Sequence, residues 1–241
     1  MNWPEDFINQ IICADSFEIL KIIPDKAIDL VLTDPPYGIG IAENGMVGRQ
    51  GQGITQTTGY KKVQWDNQPL TENQIKDLIR VSRNQIIFGG NYIAHLLPPS
   101  RGWVVWDKRV GETDFSDCEL IWTSFNRPAR MIRYLWQGML QGNMRHKEKR
   151  YHPTQKPVFV LERLLSMFAT KDDIVLDPFL GSGSTAVACQ NMGCRFIGIE
   201  LDPDYVEITK TRMKINGMRQ RFWDGFDLVK GCLDQKHQPS K

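Results

Sequence analysis

The stretch VLDPFLGSGSTA, Val175 to Ala186, has the pattern of a buried strand, a glycine-rich turn and the start of a helix. The next apolar run, RFIGIE at 195–200, ends on an acid, Glu200. In nucleotide-binding α/β proteins an acid at that place accepts hydrogen bonds from a ribose, while the turn holds the rest of the cofactor. The stretch therefore predicts a cofactor-binding turn, although a plain strand-to-helix connection would have the same local pattern.

Strand and helix patterns alternate along much of the chain. Short, β-rich apolar runs, typical of strands buried on both faces of a parallel sheet, occur at 28–34, 85–90, 103–107, 119–124, 173–177 and 195–200. Helical patterns occur at 157–169, 184–193 and 202–215. Pro157 is expected at the first helical position and Gly193 at a helix C-terminus. This order predicts a doubly wound, Rossmann-like α/β fold with a mostly parallel sheet.

The bulk composition is that of an ordinary globular domain. The 241 residues are 41% hydrophobic and 24% charged, with a formal net charge of +2, which is compatible with one core. Five scattered cysteines include no CxxC pair, so reduced, mostly buried thiols are expected rather than a disulfide scaffold or zinc ribbon. The sequence has no signal-peptide pattern and no apolar run long enough for a membrane span, so a soluble, cytoplasmic protein is expected.

The charge beside the glycine turn separates two cofactor classes. Gly181-x-Gly183-x-x-Ala186 formally matches the dinucleotide fingerprint, so NAD is an alternative. However, the carboxylate of Asp177, just before the turn, would repel a pyrophosphate seated on the helix N-terminus. It would attract an ammonium or a sulfonium group, and S-adenosylmethionine carries both. The turn therefore favours S-adenosylmethionine, and no hydride-transfer acid or base for an oxidoreductase stands beside it.

The stretch VLTDPPYG, at 31–38, contains the candidate catalytic residues. The exocyclic amine of adenine or cytosine is a poor nucleophile, because its lone pair is delocalised into the ring. Asp34 and the carbonyl of Pro35 could accept from its two N–H groups, and the fixed φ of proline would aim that carbonyl. Tyr37 could stack on the base. The tetrapeptide of Asp34, Pro35, Pro36 and Tyr37 is thus predicted to orient a base amine; an ordinary Pro-Pro turn is the alternative.

Three motifs in a fixed order carry a family resemblance. TDPPYG at 33–38, HPTQKP at 152–157 and LDPFLGSGST at 176–185 resemble those of amino-group DNA methyltransferases. Their order is similar to that of the beta group, in which the catalytic motif precedes the methyl-donor motif. FGGNY at 88–92 and WDK at 106–108 resemble segments of phage and prophage members. The resemblance implies transfer of a methyl group from S-adenosylmethionine to a base that is flipped out of the duplex.

The resemblance also assigns residues to the cofactor. It implies that residues of the donor motif hold the methionine end of S-adenosylmethionine: Asp177, Phe179, Gly181 and Gly183. Glu200 would hold the ribose, and CADSFEIL at 13–20 is similar to the segment that contacts the adenine of the cofactor. The further implied cofactor residues come from that segment and from HPTQKP: Asp15, Ser16, Phe17, Thr154, Gln155 and Lys156. No metal is expected, since the histidines lack metal-ligand spacing.

By the same analogy, the stretch 109–150 is the target-recognition region. Its second part interleaves aromatic residues with seven basic residues that are the candidate contacts to double-stranded DNA: Arg127, Arg130, Arg133, Arg145, Lys147, Lys149 and Arg150. Such side chains contact phosphates or read base edges. The region is short for the family, so help from a homodimer or from the glycine-rich segment 38–64 stays open. That segment fits either a lid or a disordered loop.

The expected organisation is one catalytic domain with an insertion. The half with the catalytic motif covers 1–108, the target-recognition region 109–150 and the donor-binding half 151–229, followed by a loose tail at 230–241. Adenine N6 is the expected target, because cytosine-specific members more often carry Ser than Asp before the two prolines. The alternatives are N4 of cytosine, an amine of RNA, and a binding module that has lost catalysis.

Overall fold

The structure is a computed structural model that describes residues 2–38, 69–111, 116–137, 140–152 and 154–218. Ten strands are formed by these residues: β1 (Gln10–Cys13), β2 (Ile28–Thr33), β3 (Ser82–Ile87), β4 (Val104–Asp107), β5 (Cys118–Thr123), β6 (Arg130–Arg133), β7 (Trp136–Gln137), β8 (Leu140–Gln141), β9 (Ile174–Asp177) and β10 (Arg195–Glu200). The helices are α1 (Ser16–Leu20), α2 (Glu72–Val81), α3 (Val158–Phe168), α4 (Ser184–Met192) and α5 (203–218).

The eight strands of the central sheet lie in the order β1-β10-β9-β2-β3-β5-β4-β6, and β7 pairs with β8 in a separate hairpin. The first five are parallel to one another, β5 runs antiparallel to β3 and to β4, and β6 is parallel to β4. The predicted Rossmann-like α/β fold with a mostly parallel sheet is therefore confirmed.

The order of the strands creates a topological switch point between β9 and β2. From β9 the chain passes through α4 to β10 on one side, whereas from β2 it passes through α2 to β3 on the other side. In open α/β sheets, ligands bind outside the carboxyl ends of the strands at such a point. Asp177 ends β9 and Asp34 follows β2, so the two predicted motifs flank the switch point.

Helices cover both faces of the sheet and form two cores. Leu30 and Leu32 of β2 belong to the core that includes α3 and α4, whereas Val31 between them belongs to the core with α1 and α2. Each of these three side chains is at most 1% exposed. Burial on both faces explains why the strand is a continuous apolar run rather than an alternating one.

Glycines lie at both ends of α4 and just after the end of β3. Gly183 precedes α4 with φ +84°, and Gly193 ends it with φ +71° while its N–H donates to the carbonyl of Cys189, as the sequence pattern predicted. The strand predicted at 85–90 instead ends at Ile87, because Gly89 turns the chain with φ +61°. Pro157 is the N-cap of α3 rather than its first helical residue, so that prediction was wrong by one position.

Other predictions concern the periphery of the domain. The segment 38–64, apart from Gly38, and the tail at 230–241 lie outside the described residues. Strands β5 and β6 fall within 109–150 and join the central sheet, and the boundaries of the target-recognition region stay a prediction. The expectation of mostly buried thiols was wrong, because Cys189 alone is buried among the four described cysteines. Over the described part of the chain, the helices are too short or too polar to cross a bilayer.

Candidate active site

A cleft of about 1340 Å³ opens at the carboxyl ends of the parallel strands. Among its lining residues are those that end or follow five of these strands: Asp15, Asp34, Phe88, Asp177 and Glu200. All the predicted catalytic residues line this cleft, and so do all the predicted cofactor residues except Gly183. The described residues include no cluster of His, Cys, Asp or Glu side chains that could hold a metal ion.

Asp177 is held in place by three hydrogen bonds. Its carboxylate accepts from the hydroxyls of Thr33 at 2.8 Å and Thr185 at 2.6 Å, and from the N–H of Phe179 at 3.1 Å. The residue is only 4% exposed. Burial raises the pKa of Asp177 to about 6, although the three hydrogen bonds act in the opposite direction. Because Thr33 directly precedes Asp34, this contact also joins the glycine-rich turn after β9 to the predicted catalytic motif.

Gly181 and Gly183 of the turn have different structural roles. Gly181 has φ +54°, and a Cβ at this position would meet no heavy atom within 4 Å. It lines the cleft, so its lack of a side chain leaves space where a ligand can approach the backbone. Gly183 has φ +84°, and a Cβ there would collide with the side chain of Thr209 in α5. Gly183 thus allows helix packing beneath the turn rather than lining the cleft.

Glu200, at the end of β10, accepts hydrogen bonds that hold the glycine-rich turn in place. Its Oε2 accepts from the N–H of Gly181 at 2.7 Å, and its Oε1 accepts from the N–H of Asp202 at 2.8 Å. Burial raises the pKa of Glu200, while these backbone hydrogen bonds oppose the rise. Each carboxylate oxygen can accept more than one hydrogen bond, so Glu200 can hold the turn and still accept from a hydroxyl group in the cleft.

The segment after β1 borders the other end of the cleft. Asp15 caps α1 by accepting from the N–H of Phe17 at 2.8 Å. The ring of Phe17 lies against the ring of Phe179, with centroids 5.9 Å apart and planes inclined by 58°. Ser16 is buried beside them. An acid and two aromatic rings from separate elements therefore lie together at the edge of the cleft.

Gln155 of HPTQKP makes its hydrogen bonds to other groups of the protein. Gln155 is buried, and its Oε1 accepts from the N–H of Tyr151 at 2.9 Å and the hydroxyl of Ser182 at 3.2 Å. Its Nε2 donates to the carbonyl of Lys149 at 3.2 Å. Gln155 therefore ties its loop to the glycine turn. The hydroxyl of Thr154, nearby, lies 3.0 Å from Nδ1 of His152, whose pKa is lowered to about 4 chiefly by burial.

The predicted catalytic motif takes part in a network of four side chains. Nζ of Lys156 lies 2.6 Å from Oδ2 of Asp34 and 3.0 Å from Oε1 of Glu119. The hydroxyl of Tyr37 hydrogen-bonds to Asp34 and lies 2.9 Å from Oε1 of Glu119. Lys156 was predicted near the methionine end of the cofactor, and the structure places it in an ion pair with Asp34.

The charged groups of this network shift one another's pKa values. Burial raises the pKa of Asp34, and the negative charge of Glu119 adds to the rise, while Lys156 opposes it. Burial also raises the pKa of Glu119, but the positive charges of Lys156 and Lys108 outweigh this effect, and the pKa is lowered. Burial alone would lower the pKa of Lys156, yet the two carboxylates raise it well above its usual value. Two carboxylates and two lysines therefore neutralise one another in the cleft.

Glu119 and Tyr92 were missed by the sequence analysis. Glu119 begins the apolar run at 119–124 and pairs with Lys108 at 3.4 Å. The ring of Tyr92 stacks on Tyr37 with centroids 4.9 Å apart. A charged residue in a buried strand was the signal for Glu119, and its partners became visible only in the folded chain.

Comparison with known proteins identifies the family. A model of the N6/N4 methyltransferase family, described as DNA methylase, matches residues 64–211, which is more than half of the chain. The chain belongs to this DNA methylase family. It is 30% identical to the putative methylase YubD of Escherichia coli (strain K12), over 86% of this chain and 90% of that protein. It is 26% identical to the type II methyltransferase M2.LlaDCHI of Lactococcus lactis subsp. cremoris, over 83% and 87%.

Solved structures agree with this membership. The complex of M1.HpyAVI with S-adenosylmethionine superposes on the methylase with a TM-score of 0.54 and 25% identity, over 84% of this chain and 98% of that chain. The cytosine-N4-specific PvuII DNA methyltransferase shares the fold, with a TM-score of 0.56, 16% identity, and coverage of 84% and 85%. The chain is thus a DNA amino-methyltransferase with S-adenosylmethionine as its methyl donor. The open space at Gly181 and the anionic lining of the cleft fit that cationic donor.

Six of the seven candidate DNA contacts of the methylase are exposed, all except Arg150, and four of the six lie on β6 or in the loop after β8. Arg130 and Arg133 lie at the ends of the edge strand β6, and Arg133 pairs with Asp107 at 3.5 Å. Arg145 and Lys147 lie in the loop after β8. Since all four side chains are exposed, they can reach a phosphate backbone.

The other three candidates make contacts within the fold. Arg127 donates to the carbonyl of Met167 at 2.7 Å and lies over two phenylalanine rings. Lys149 lies 4.9 Å from the centroid of Tyr151. Arg150 lies 4.4 Å from the ring centroid of Trp136 and lines the cleft, as none of the other six does. Their positive charges therefore also contribute to packing.

The acid within the basic run anchors it to α3. Oε1 of Glu148 accepts from the N–H of Val158 at 2.9 Å, at a helix start where Pro157 provides no side-chain cap. Burial raises the pKa of Glu148 to about 7, although Arg212 and this hydrogen bond oppose the rise. The contact connects the loop after β8 with the helix that follows HPTQKP.

Proposed function

We propose that the protein methylates the exocyclic N6 of adenine in double-stranded DNA, at a specific recognition sequence. The observation that supports this most directly is the hydrogen bond between Thr33 and Asp177. It places the residue before Asp34 against the acid of the donor turn, so the predicted catalytic motif and the donor site share one cleft. Holding two bound groups at such proximity can supply a large part of the rate enhancement of a transfer between them.

The catalytic role belongs to Asp34, Pro35, Pro36 and Tyr37. The Asp34 carboxylate and the Pro35 carbonyl accept hydrogen bonds from the two N–H groups of the amine, which turns the nitrogen lone pair toward the donor. Proline at both middle positions keeps the loop rigid and adds no competing N–H. Tyr37 and Tyr92 stack on each other and line the cleft, and this aromatic pair offers a stacking surface to the base, an interaction that contributes about 1–3 kcal/mol per base.

The cofactor supplies an activated methyl group when it is bound. The cationic methionine end is held by Asp177, with Phe179 and the space at Gly181, and the ribose hydroxyls by Glu200. Asp15, Ser16 and Phe17 receive the adenine at the edge of the cleft, and Thr154 faces the donor. Gln155 supports this site through the glycine turn, whereas Lys156 acts at Asp34.

The DNA duplex is bound by the basic part of 109–150. The exposed Arg130, Arg133, Arg145 and Lys147 contact phosphates, and Arg150 reaches the cleft where a flipped base enters. The chain is a beta-group member by its motif order and works as the modification enzyme of a restriction–modification system in the bacterial cytoplasm or in a phage. Support for this comes from the type II methyltransferases among its relatives. Two copies of the chain, associated as a homodimer, bind the duplex together.

The test is to identify the modified base. The protein is incubated with isotope-labelled S-adenosylmethionine and, in separate reactions, with mixed-sequence DNA and with RNA. Each polymer is then digested, and the modified nucleosides are identified by mass spectrometry. N6-methyladenine is expected. N4-methylcytosine would contradict the choice of base and select the cytosine alternative. Label found only in RNA would show that RNA is the substrate. Label in neither polymer would contradict the proposed activity.

Substitution of Asp34 tests the catalytic assignment. Asp34→Asn keeps the size of the side chain but removes the anionic acceptor, so methylation should fall at least about a thousandfold, on the order expected for loss of a directly acting group. Donor affinity, measured by calorimetry, should stay within about threefold of wild type. Methylation by Asp34→Asn at the wild-type rate would show that another group orients the amine.

A further inference from the structure

A second buried carboxylate stands beside the catalytic motif. Glu119 lies on β5, outside all the motifs, and its side chain is 11% exposed. Strand β5 is paired on both sides, with β3 and with β4. At Glu119 the backbone is in register with Trp106 of β4, so the sheet rather than a loop sets where this residue lies.

Asp34 and Glu119 share the same two partners. Oδ1 of Asp34 bonds to the hydroxyl of Tyr37, and Oδ2 lies 2.6 Å from Nζ of Lys156. Glu119 lies within 3.0 Å of both of these groups. An amine entering the cleft must therefore compete with Tyr37 and Lys156 for the oxygens of Asp34. Glu119 offers each of them a second acceptor without a large movement.

We propose that Glu119 is a positioning residue for methyl transfer: it retains Lys156 and the Tyr37 hydroxyl when the base amine takes their place at Asp34. The inference rests on the proposed role of Asp34 as the amine acceptor. The substrate group that completes the network is an exocyclic amine with two N–H donors. The exchange requires only that the Tyr37 hydroxyl proton rotates and that Nζ of Lys156 shifts toward Glu119.

The surroundings favour this exchange over a larger rearrangement. A Cβ at Gly89 would collide with the Tyr37 ring, so the backbone packs closely against that ring, and Tyr92 stacks on it. Glu119 has a second cation, Lys108, at 3.4 Å, whereas Lys156 is the cation that faces Asp34 among the described residues. Glu119 therefore remains charged and can hold Lys156 while Asp34 binds the amine.

Replacement of Glu119 by Gln tests the proposal. Without the second carboxylate, Lys156 pairs with Asp34 alone and competes more strongly with the amine. We expect kcat/KM for DNA to fall about tenfold or more, an ordinary size for a lost positioning contact, while donor affinity stays within about twofold. The matched control is Asp117→Asn, which removes an exposed negative charge two residues away and should leave kcat/KM unchanged.

The pH profile separates positioning from a purely structural role. The carboxylate of Asp34 is faced by Tyr37, Lys156 and Glu119, and by Asp177 beyond Thr33. The charge of Glu119 raises the pKa of Asp34, so Glu119→Gln should move the acidic limb of kcat/KM to lower pH. Glu119→Asp, which keeps the charge, should leave the limb in place and recover part of the rate. A structural role alone would lower activity without moving the limb.

The outcomes distinguish this inference from the proposed function. An inactive Asp34→Asn together with a Glu119→Gln enzyme of wild-type rate and wild-type acidic limb would overturn the inference alone. An active Asp34→Asn would overturn both this inference and the proposed role of Asp34, while the identity of the methylated base would still test the proposed function. If Glu119→Gln does not bind the donor because it fails to fold, the double variant with Lys108→Gln, which restores the charge balance, is measured against Lys108→Gln. Equal rates and limbs for those two proteins would also overturn the inference.

Discussion

Nζ of Lys156 lies 2.6 Å from Oδ2 of Asp34, so two motifs separated by 122 residues in the sequence meet in one ion pair. Lys156 belongs to HPTQKP and Asp34 to DPPY. The contact crosses from the donor-binding half of the chain to the half with the catalytic motif. HPTQKP therefore contacts the proposed catalytic motif as well as the glycine-rich turn, and its lysine can influence the proposed acceptor of the amine.

Lys156→Met should destabilise the protein strongly. The substitution leaves Asp34 and Glu119, whose side chains are 23% and 11% exposed, without their shared cation, which should cost at most the roughly 3–5 kcal/mol of unfolding free energy that is lost when a fully buried pair is broken. Lys108→Met is the control, because Lys108 is more exposed, at 23% of its side chain, and contacts Glu119 at 3.4 Å. Denaturant unfolding of both variants measures the difference. Equal losses of stability would contradict the central place of Lys156 in the network.

Alanine at the two glycines of the donor turn should have different effects. Gly181→Ala places a methyl group in the cleft at φ +54°, so donor affinity should fall more than about tenfold, while backbone strain costs only about 1–2 kcal/mol of stability. Gly183→Ala drives its methyl group into Thr209 and should mainly lower the melting temperature. Calorimetric titration with the donor and thermal unfolding measure the two effects. The reverse assignment would show that Gly183 rather than Gly181 faces the ligand.

Donor binding should depend on the charge of Asp177. Its pKa is raised to about 6 in the folded protein, chiefly by burial, so the carboxyl group is protonated below that pH and anionic above it. The affinity for the cationic donor should therefore rise as the pH increases through about 6 and level off above it, with a slope of at most about tenfold per pH unit. Asp177→Asn should bind the donor more weakly, and its affinity should lack this rise.

Binding of DNA should weaken with salt. Engagement of five or six phosphates predicts a slope of log K against log salt of about −5, and removal of two phosphate contacts should reduce its magnitude by about 1.8. Neutralising the exposed Arg145 and Lys147 together should have that effect. Arg127→Gln is the matched control, since Arg127 is engaged by Met167 and two phenylalanine rings. Fluorescence anisotropy at several salt concentrations measures the slopes, and a flat response in the wild type would exclude the basic run as a DNA contact.

Local sequence pattern determined the donor half of this protein. The apolar run of β9, the positive φ required after it, and the cap at Gly193 are short-range features, because each depends on the conformation of a few neighbouring residues. Strand β9 and helix α4 were therefore predictable nearly to the residue. The carboxyl ends of the neighbouring parallel strands β2 and β9 are where Asp34 and Asp177 lie. The turn at Gly89 was missed, since FGG also continues an apolar run.

The partners of charged side chains were decided by the tertiary structure. Nothing near Glu119 in the sequence indicates that it faces Lys156 and Tyr37, because a buried ion pair forms between residues that only folding brings together. The same holds for Gly183, whose task is set by Thr209 of α5 rather than by the cofactor motif. The sequence alone thus determined which chemical groups the methylase brings to its cleft. Their hydrogen bonds and charge pairs depend on distances of a few ångströms across the sheet, which only the folded chain defines.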